Sequence, residues 1–100
     1  MAHLDLYRLA GLSGYVVEVQ ADLLASFETT IVVPLLPEEE SPRPMTRLNP
    51  IFEIDGRNHV MVTQSLAAIS RKELGEPVGT LSQQRYYDVA NALDMLLAGS

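Results

Sequence analysis

The sequence predicts an α+β domain that is mostly β, a curved antiparallel sheet crossed by one C-terminal helix. Three observations predict it. Apolar and polar residues alternate through the first half of the chain, the period of half-buried strands. Asp55-Gly56 stands between the apolar-rich runs "IFEI" and "RNHVMV", the preferred chemistry of a two-residue hairpin turn, whose central residues both need positive φ. From Tyr86 onward, apolar residues recur at three- and four-residue spacing, the period of an amphipathic helix.

The elements follow in order. In "HLDLYRL" Leu4, Leu6 and Arg8 share one face while His3, Asp5 and Tyr7 share the other, which reads as a first strand. Gly11 and Gly14 of "GLSG" are expected at positive φ in a turn leading to the β-branched run "YVVEVQ", completing a hairpin. "TTIVVPLLP" is a third strand, expected to end at Pro34 and Pro37 because proline cannot donate to a ladder. "PEEESPRP" can neither bury itself nor pair, and reads as a surface loop. In "SLAAISRKELG", Ser65 to Ala68 would tolerate a helical turn, and Ile69 to Leu74 is read as a strand closed by Gly75 and Pro77. The final helix opens with Leu81 as a staple position and Ser82 as N-cap. Its apolar stripe is Tyr86, Val89, Ala90, Leu93, Leu96 and Leu97, and Gly99 stands where a glycine C-cap would.

With 100 residues the chain is expected to be a single domain, 1–100, with one modest core. Its net charge of -6 repels phosphate backbones, which disfavours direct nucleic-acid binding. The absence of cysteine removes disulfides and thiolate chemistry and fits a reducing compartment, so the cytoplasm is expected. The N-terminus lacks a basic start with a long apolar run, and no stretch is long and apolar enough to span a bilayer, so no membrane association is expected.

Motifs that carry chemistry are few. His3 and His59 each lie in a predicted strand without a second ligand at metal spacing, and both are read as surface or rim residues. No metal or cofactor is assigned. Glu38, Glu39 and Glu40 read as a solvated acidic loop, and Arg71, Lys72 and Glu73 as a solvated strand face. No Ser or Thr sits in a motif with a base, so no catalytic residue is assigned and the domain is expected to act by binding. Tyr86 is read as core rather than as a binding partner of Tyr87.

The order "YVVEVQADLL", "IVVPL", "LNPIFEIDG" and "VGTLSQQRYYDVANALDMLLAGS" resembles that of the CcdB family of toxin-antitoxin toxins, over nearly the whole chain. The resemblance implies a homodimer of strongly bent antiparallel sheets or small barrels, each with a smaller hairpin sheet and one C-terminal helix. It also implies a non-catalytic poison that binds the A subunit of DNA gyrase and traps the cleavage complex. A CcdA-like antitoxin would neutralise it and would alone contact operator DNA. Carried over by position, the gyrase-binding residues are Leu23 and Leu24 in the early loop and Asp94, Leu97, Ala98, Gly99 and Ser100 at the tip. The family has Trp-Gly-Ile at the last three of these, so Ala98 and Ser100 depart from it. Two other readings are a related fold of MazF-type ribonucleases and a non-toxic decoy that binds antitoxin.

Overall fold

The structure is a computed structural model that describes residues 2–99. Seven strands form one antiparallel sheet: β1 (Asp5–Tyr7), β2 (Tyr15–Glu18), β3 (Thr29–Pro37), β4 (Ile51–Ile54), β5 (Arg57–Met61), β6 (Ala67–Ser70) and β7 (Gly79–Thr80). The order is β4-β5-β3-β2-β1-β7, with β6 paired to the start of β3. The sheet curls into a half-barrel, and one helix, α1 (Tyr86–Ala98), covers one of its faces.

β3 organises this topology because it is long enough to hold two neighbours on one edge. Thr29 to Val32 pair with β6, and Leu35 to Pro37 pair with β5, which carries the β4–β5 hairpin. Pro34 does not end the strand, as the sequence led us to expect. Val19 donates to the carbonyl of Ile31, so bonded pairs alternate along β2–β3 and Val16↔Pro34 is a non-bonded pair. On its other edge Pro34 accepts from the Val62 N–H, at the point where β3 changes partner. Its missing donor falls on that edge opposite Val62, whose carbonyl accepts the Ser65 N–H instead, so the ladder ends there without leaving that carbonyl unpaired.

The hairpin turn forms as its chemistry predicts, with φ of 52° at Asp55 and 79° at Gly56. Gly11 also takes positive φ, at 84°. Gly14 is needed for a different reason. A Cβ there would lie 1.9 Å from the carbonyl oxygen of Leu35, so only glycine lets the turn approach β3.

The strand predicted over Ile69 to Leu74 is displaced toward the N-terminus. β6 spans Ala67–Ser70, and Arg71–Glu73 is a 3₁₀ turn; the helical turn lies at Thr63–Ser65. Alternation along the strands serves two apolar layers. Leu6, Tyr15, Val17, Val33 and Leu35 face α1 together with Phe52 and Met61, while Tyr7, Val16 and Val32 face a smaller cluster with Leu74. Full burial of a side chain such as Phe52, at 2% exposure, contributes roughly 1.5–3 kcal/mol.

Candidate functional site

The helix and its tip are set by local capping. The Ser82 hydroxyl accepts the Gln84 N–H and opens a 3₁₀ turn, Gln83–Arg85, that runs into α1. At the far end Gly99 is left-handed, φ 74°, and its N–H reaches the carbonyls of Asp94 and Met95. That is the glycine cap expected from the sequence. The buried face, however, is rotated toward Ala92. Val89 and Ala92 are buried, Tyr86 and Leu93 pack partly against the core, and Leu97 is 73% exposed. Leu97 is thus not part of the stripe, because the helix rests on a line through Val89 and Ala92, three residues apart.

Asp94, Leu97, Ala98 and Gly99 are together on the last turns, all exposed. Ser100 lies outside the described residues. Leu23, 91% exposed, and the half-buried Leu24 lie in the 3₁₀ turn Asp22–Leu24 between β2 and β3. The Asp22 carboxylate accepts the backbone N–H of His3 at 3.2 Å and lies 3.4 Å from His3 Nε2. Gln83 in turn donates to the His3 carbonyl, which ties the early loop to the approach to α1. Among the described residues no hydrogen bond or ion pair joins Leu23 or Leu24 to the helix tip.

A polar cluster that sequence reasoning missed sits at the loop end of the sheet. The Tyr15 hydroxyl donates to Asp55 at 2.7 Å, and the Arg8 guanidinium lies over the Tyr15 ring, 4.1 Å from its centroid. Arg8 also donates to the carbonyls of Ser13 and Gly14. His59 packs edge-on against Tyr15 with its Nδ1 3.0 Å from the Arg57 carbonyl oxygen; at 4% exposure it is a core residue, not the surface one expected. The hydrogen bond to Asp55, then burial, raises the Tyr15 pKa above its ordinary value. Nearby the acidic loop is latched rather than free: Glu39 pairs with Arg57, and Ser13 donates to Glu40. A backbone hydrogen bond, with the Arg57 charge, holds Glu39 below the usual carboxylate range.

Arg71 is a further correction. It leaves the 3₁₀ turn inward, donating to Glu18 at 2.9 Å and to the Phe27 carbonyl, while Glu18 also accepts from Thr30. It therefore fastens β6 to β2 instead of lining a solvated strand face. Among the described residues no group of three or more His, Asp or Glu could hold a metal ion. No described helix is long and apolar enough to cross a membrane.

Residues 4–99 match the model of the CcdB protein family. The chain belongs to the CcdB family. Membership places it among the toxins of toxin-antitoxin pairs. No curated protein sequence matches it. Among solved structures it is similar to an endoribonuclease from a mycobacterial species, with 15% identity and a TM-score of 0.76 over 97% of this chain and 90% of that one. It is also similar to a mycobacterial endoribonuclease in complex with its cognate antitoxin, with 15% identity and a TM-score of 0.75 over 97% and 94% of the two chains. Likeness at that identity is likeness of fold.

Proposed function

We propose that this CcdB-family protein is a growth-inhibiting toxin that acts as a homodimer in the cytoplasm. It binds the gyrase A subunit, traps the gyrase-DNA cleavage complex without catalysis, and is neutralised by a CcdA-like antitoxin. The observation that carries the reading is the family match over residues 4–99, taken with a capped helix end that leaves Leu97 in solvent. A large exposed apolar side chain on a rigid element is suited to anchoring a partner. Binding is favoured over catalysis by the polar cluster. Arg8 is engaged with backbone carbonyls, and His59 is buried with Nδ1 against the Arg57 carbonyl, so neither is poised at a phosphodiester.

Ala98 stands where the family has tryptophan, and loss of such an anchor commonly costs at least about 2 kcal/mol, or about 30-fold in affinity. Gyrase binding by the native chain is therefore expected to be weak. The test is cleavage-complex formation by purified gyrase with the native chain and with the double change Ala98→Trp and Ser100→Ile. The double variant should give more complex at equal concentration. No complex from either protein would reject gyrase as the target, and cleavage of RNA by the native chain would replace the reading with a ribonuclease.

A further inference from the structure

Ser26, Phe27 and Glu28, just before β3, line a pocket of about 420 Å³ together with Ser70, Arg71 and Lys72 at the end of β6. Arg71 holds the two walls together. Its backbone N–H donates to the Glu28 carbonyl at 2.8 Å, and its Nε to the Phe27 carbonyl at 3.1 Å. Its Nη1 donates to Glu18 at 2.9 Å, and the same Glu18 oxygen accepts from Thr30. Nη2 remains, and among the described residues it is the one buried side-chain nitrogen or oxygen without a hydrogen-bond partner.

A buried polar group left unpaired is destabilising, and a native protein keeps one where water, an ion or a ligand meets it. Here the pocket supplies the room, since small-molecule sites run from roughly 300 to 1,000 Å³. The Arg71 side chain keeps 31% of its surface open, so the guanidinium can be reached. Lys72 is exposed on the same lining, and no described residue pairs with its ammonium group. Ser26 and Ser70 add hydroxyls, and Phe27, 55% exposed, adds an aromatic wall. Unpaired cationic donors beside an uncovered ring suit an anion with an apolar body.

We propose that this pocket binds a small aromatic carboxylate. The carboxylate oxygens accept from Arg71 Nη2 and from the Lys72 ammonium, and the ring packs on Phe27. Charge decides for a monoanion over phosphate. The two cations are balanced by Glu28 on the lining and by Glu18 on the guanidinium, so the pocket offers little net charge. The cost of desolvating a ligand rises with the square of its charge, and a dianion is therefore poorly repaid. Glu28 faces the ligand as a like charge, so removing that charge should tighten binding. Because Arg71 also carries the Phe27 and Glu28 carbonyls, a ligand on Nη2 fastens the segment that follows Leu23 and Leu24, whatever those residues meet. The site does not depend on the toxin reading.

The probe is benzoate, titrated into the full chain and followed by NMR of the backbone amides and the arginine Nε–H groups. Phe27, Arg71 and Lys72 should shift, with a dissociation constant of about 1 mM or tighter. Benzamide, which keeps the ring without the charge, and inorganic phosphate should each bind at least about fivefold more weakly. Arg71 is left intact because its bonds hold β6 and the loop. Lys72→Glu and Phe27→Ala, both at exposed side chains, should each weaken benzoate binding about fivefold, and Glu28→Gln should strengthen it roughly threefold, at nearly unchanged thermal midpoints. A purely structural role for Arg71 produces none of these changes. The proposal is overturned if benzoate shifts no residue of the pocket, if benzamide or phosphate binds as tightly, or if Glu28→Gln leaves the affinity unaltered or weaker.

Discussion

The loop end of this small sheet and the outer face of its helix use similar residues to opposite effect. At the loop end Arg8, Tyr15, Asp55 and Glu40 are joined to one another or to backbone, so polar and aromatic groups are consumed in closing the hairpins. Along the outer face of α1, Tyr87 stands in solvent in the first turn and Leu97 in the last. Residue type alone does not separate the two. What separates them is whether a second element comes close enough to answer each side chain, and a large apolar group left unanswered is free to meet another molecule.

The sharpest way to break the closed end is Gly14→Ala. A methyl group placed 1.9 Å from the Leu35 oxygen must push β2 away from β3, and β2 carries Tyr15 toward Asp55. Overpacking of this kind against backbone should cost about 3 kcal/mol, a large part of the stability of a small domain. Urea denaturation should show a much lower midpoint. Gly11→Ala, where nothing lies within 4 Å of the new Cβ, should lose only the roughly 1 kcal/mol of left-handed strain.

Leu93→Ala sits between the two regimes and corrects the helix phase. The spacing of apolar letters centres the stripe on Leu93, which would make its truncation cost about 2–5 kcal/mol. In the structure Leu93 is half-buried and Ala92 is fully buried, so about 1.5 kcal/mol is expected, with Ala92→Leu at least as damaging through overpacking. Thermal midpoints of the two variants decide the phase.

These cases show which parts of the fold the letters carried. Local chemistry was legible: Asp55-Gly56 makes its turn, Ser82 caps, Gly99 turns left-handed, and Thr29–Pro37 pairs throughout. Features that depend on a distant partner were not. Pro34 looks like a strand end until β6 and β5 are seen to change places beside it. Tyr15 and Asp55 are 40 residues apart, and neither belongs to a motif that announces the other. Arg71 reads as a surface cation, yet its partner Glu18 lies 53 residues away. Of the candidate site, the tip positions come from the family resemblance alone, whereas the rotation that exposes Leu97 depends on how α1 lies on the sheet.

Tyr15→Phe tests the closed end gently. It removes one hydrogen bond to an exposed carboxylate that water can satisfy, so about 1 kcal/mol is expected. The same change has a pH signature. Tyr15 and Tyr7 both have pKa values raised in the folded state, Tyr15 first by its bond to Asp55 and Tyr7 first by burial. A raised pKa means that the contribution is complete below the unfolded value of about 10 and is lost as pH climbs through the folded one. Stability should therefore decline above about pH 10, and less steeply in Tyr15→Phe. An equal decline in both proteins would show that the Tyr15–Asp55 bond does not matter in solution.

The smallest effect on stability belongs to the open face, and there it should accompany the largest effect on binding. Leu97 is 73% exposed, so Leu97→Ala gives up little burial, and alanine is the better helix former; the thermal midpoint should move by no more than about 0.5 kcal/mol equivalent. If the tip anchors a target, the same truncation removes the one large exposed apolar group between Asp94 and Gly99, and growth inhibition should fall severalfold at equal expression. Val89→Ala, one face inward, should reverse the pattern: it loses stability through a cavity and lowers activity only in proportion to the folded fraction. Growth assays on both variants, with folded protein measured in the same cells, distinguish the cases. Activity that follows the folded fraction for both would make Leu97 a bystander and move the anchor elsewhere on the surface.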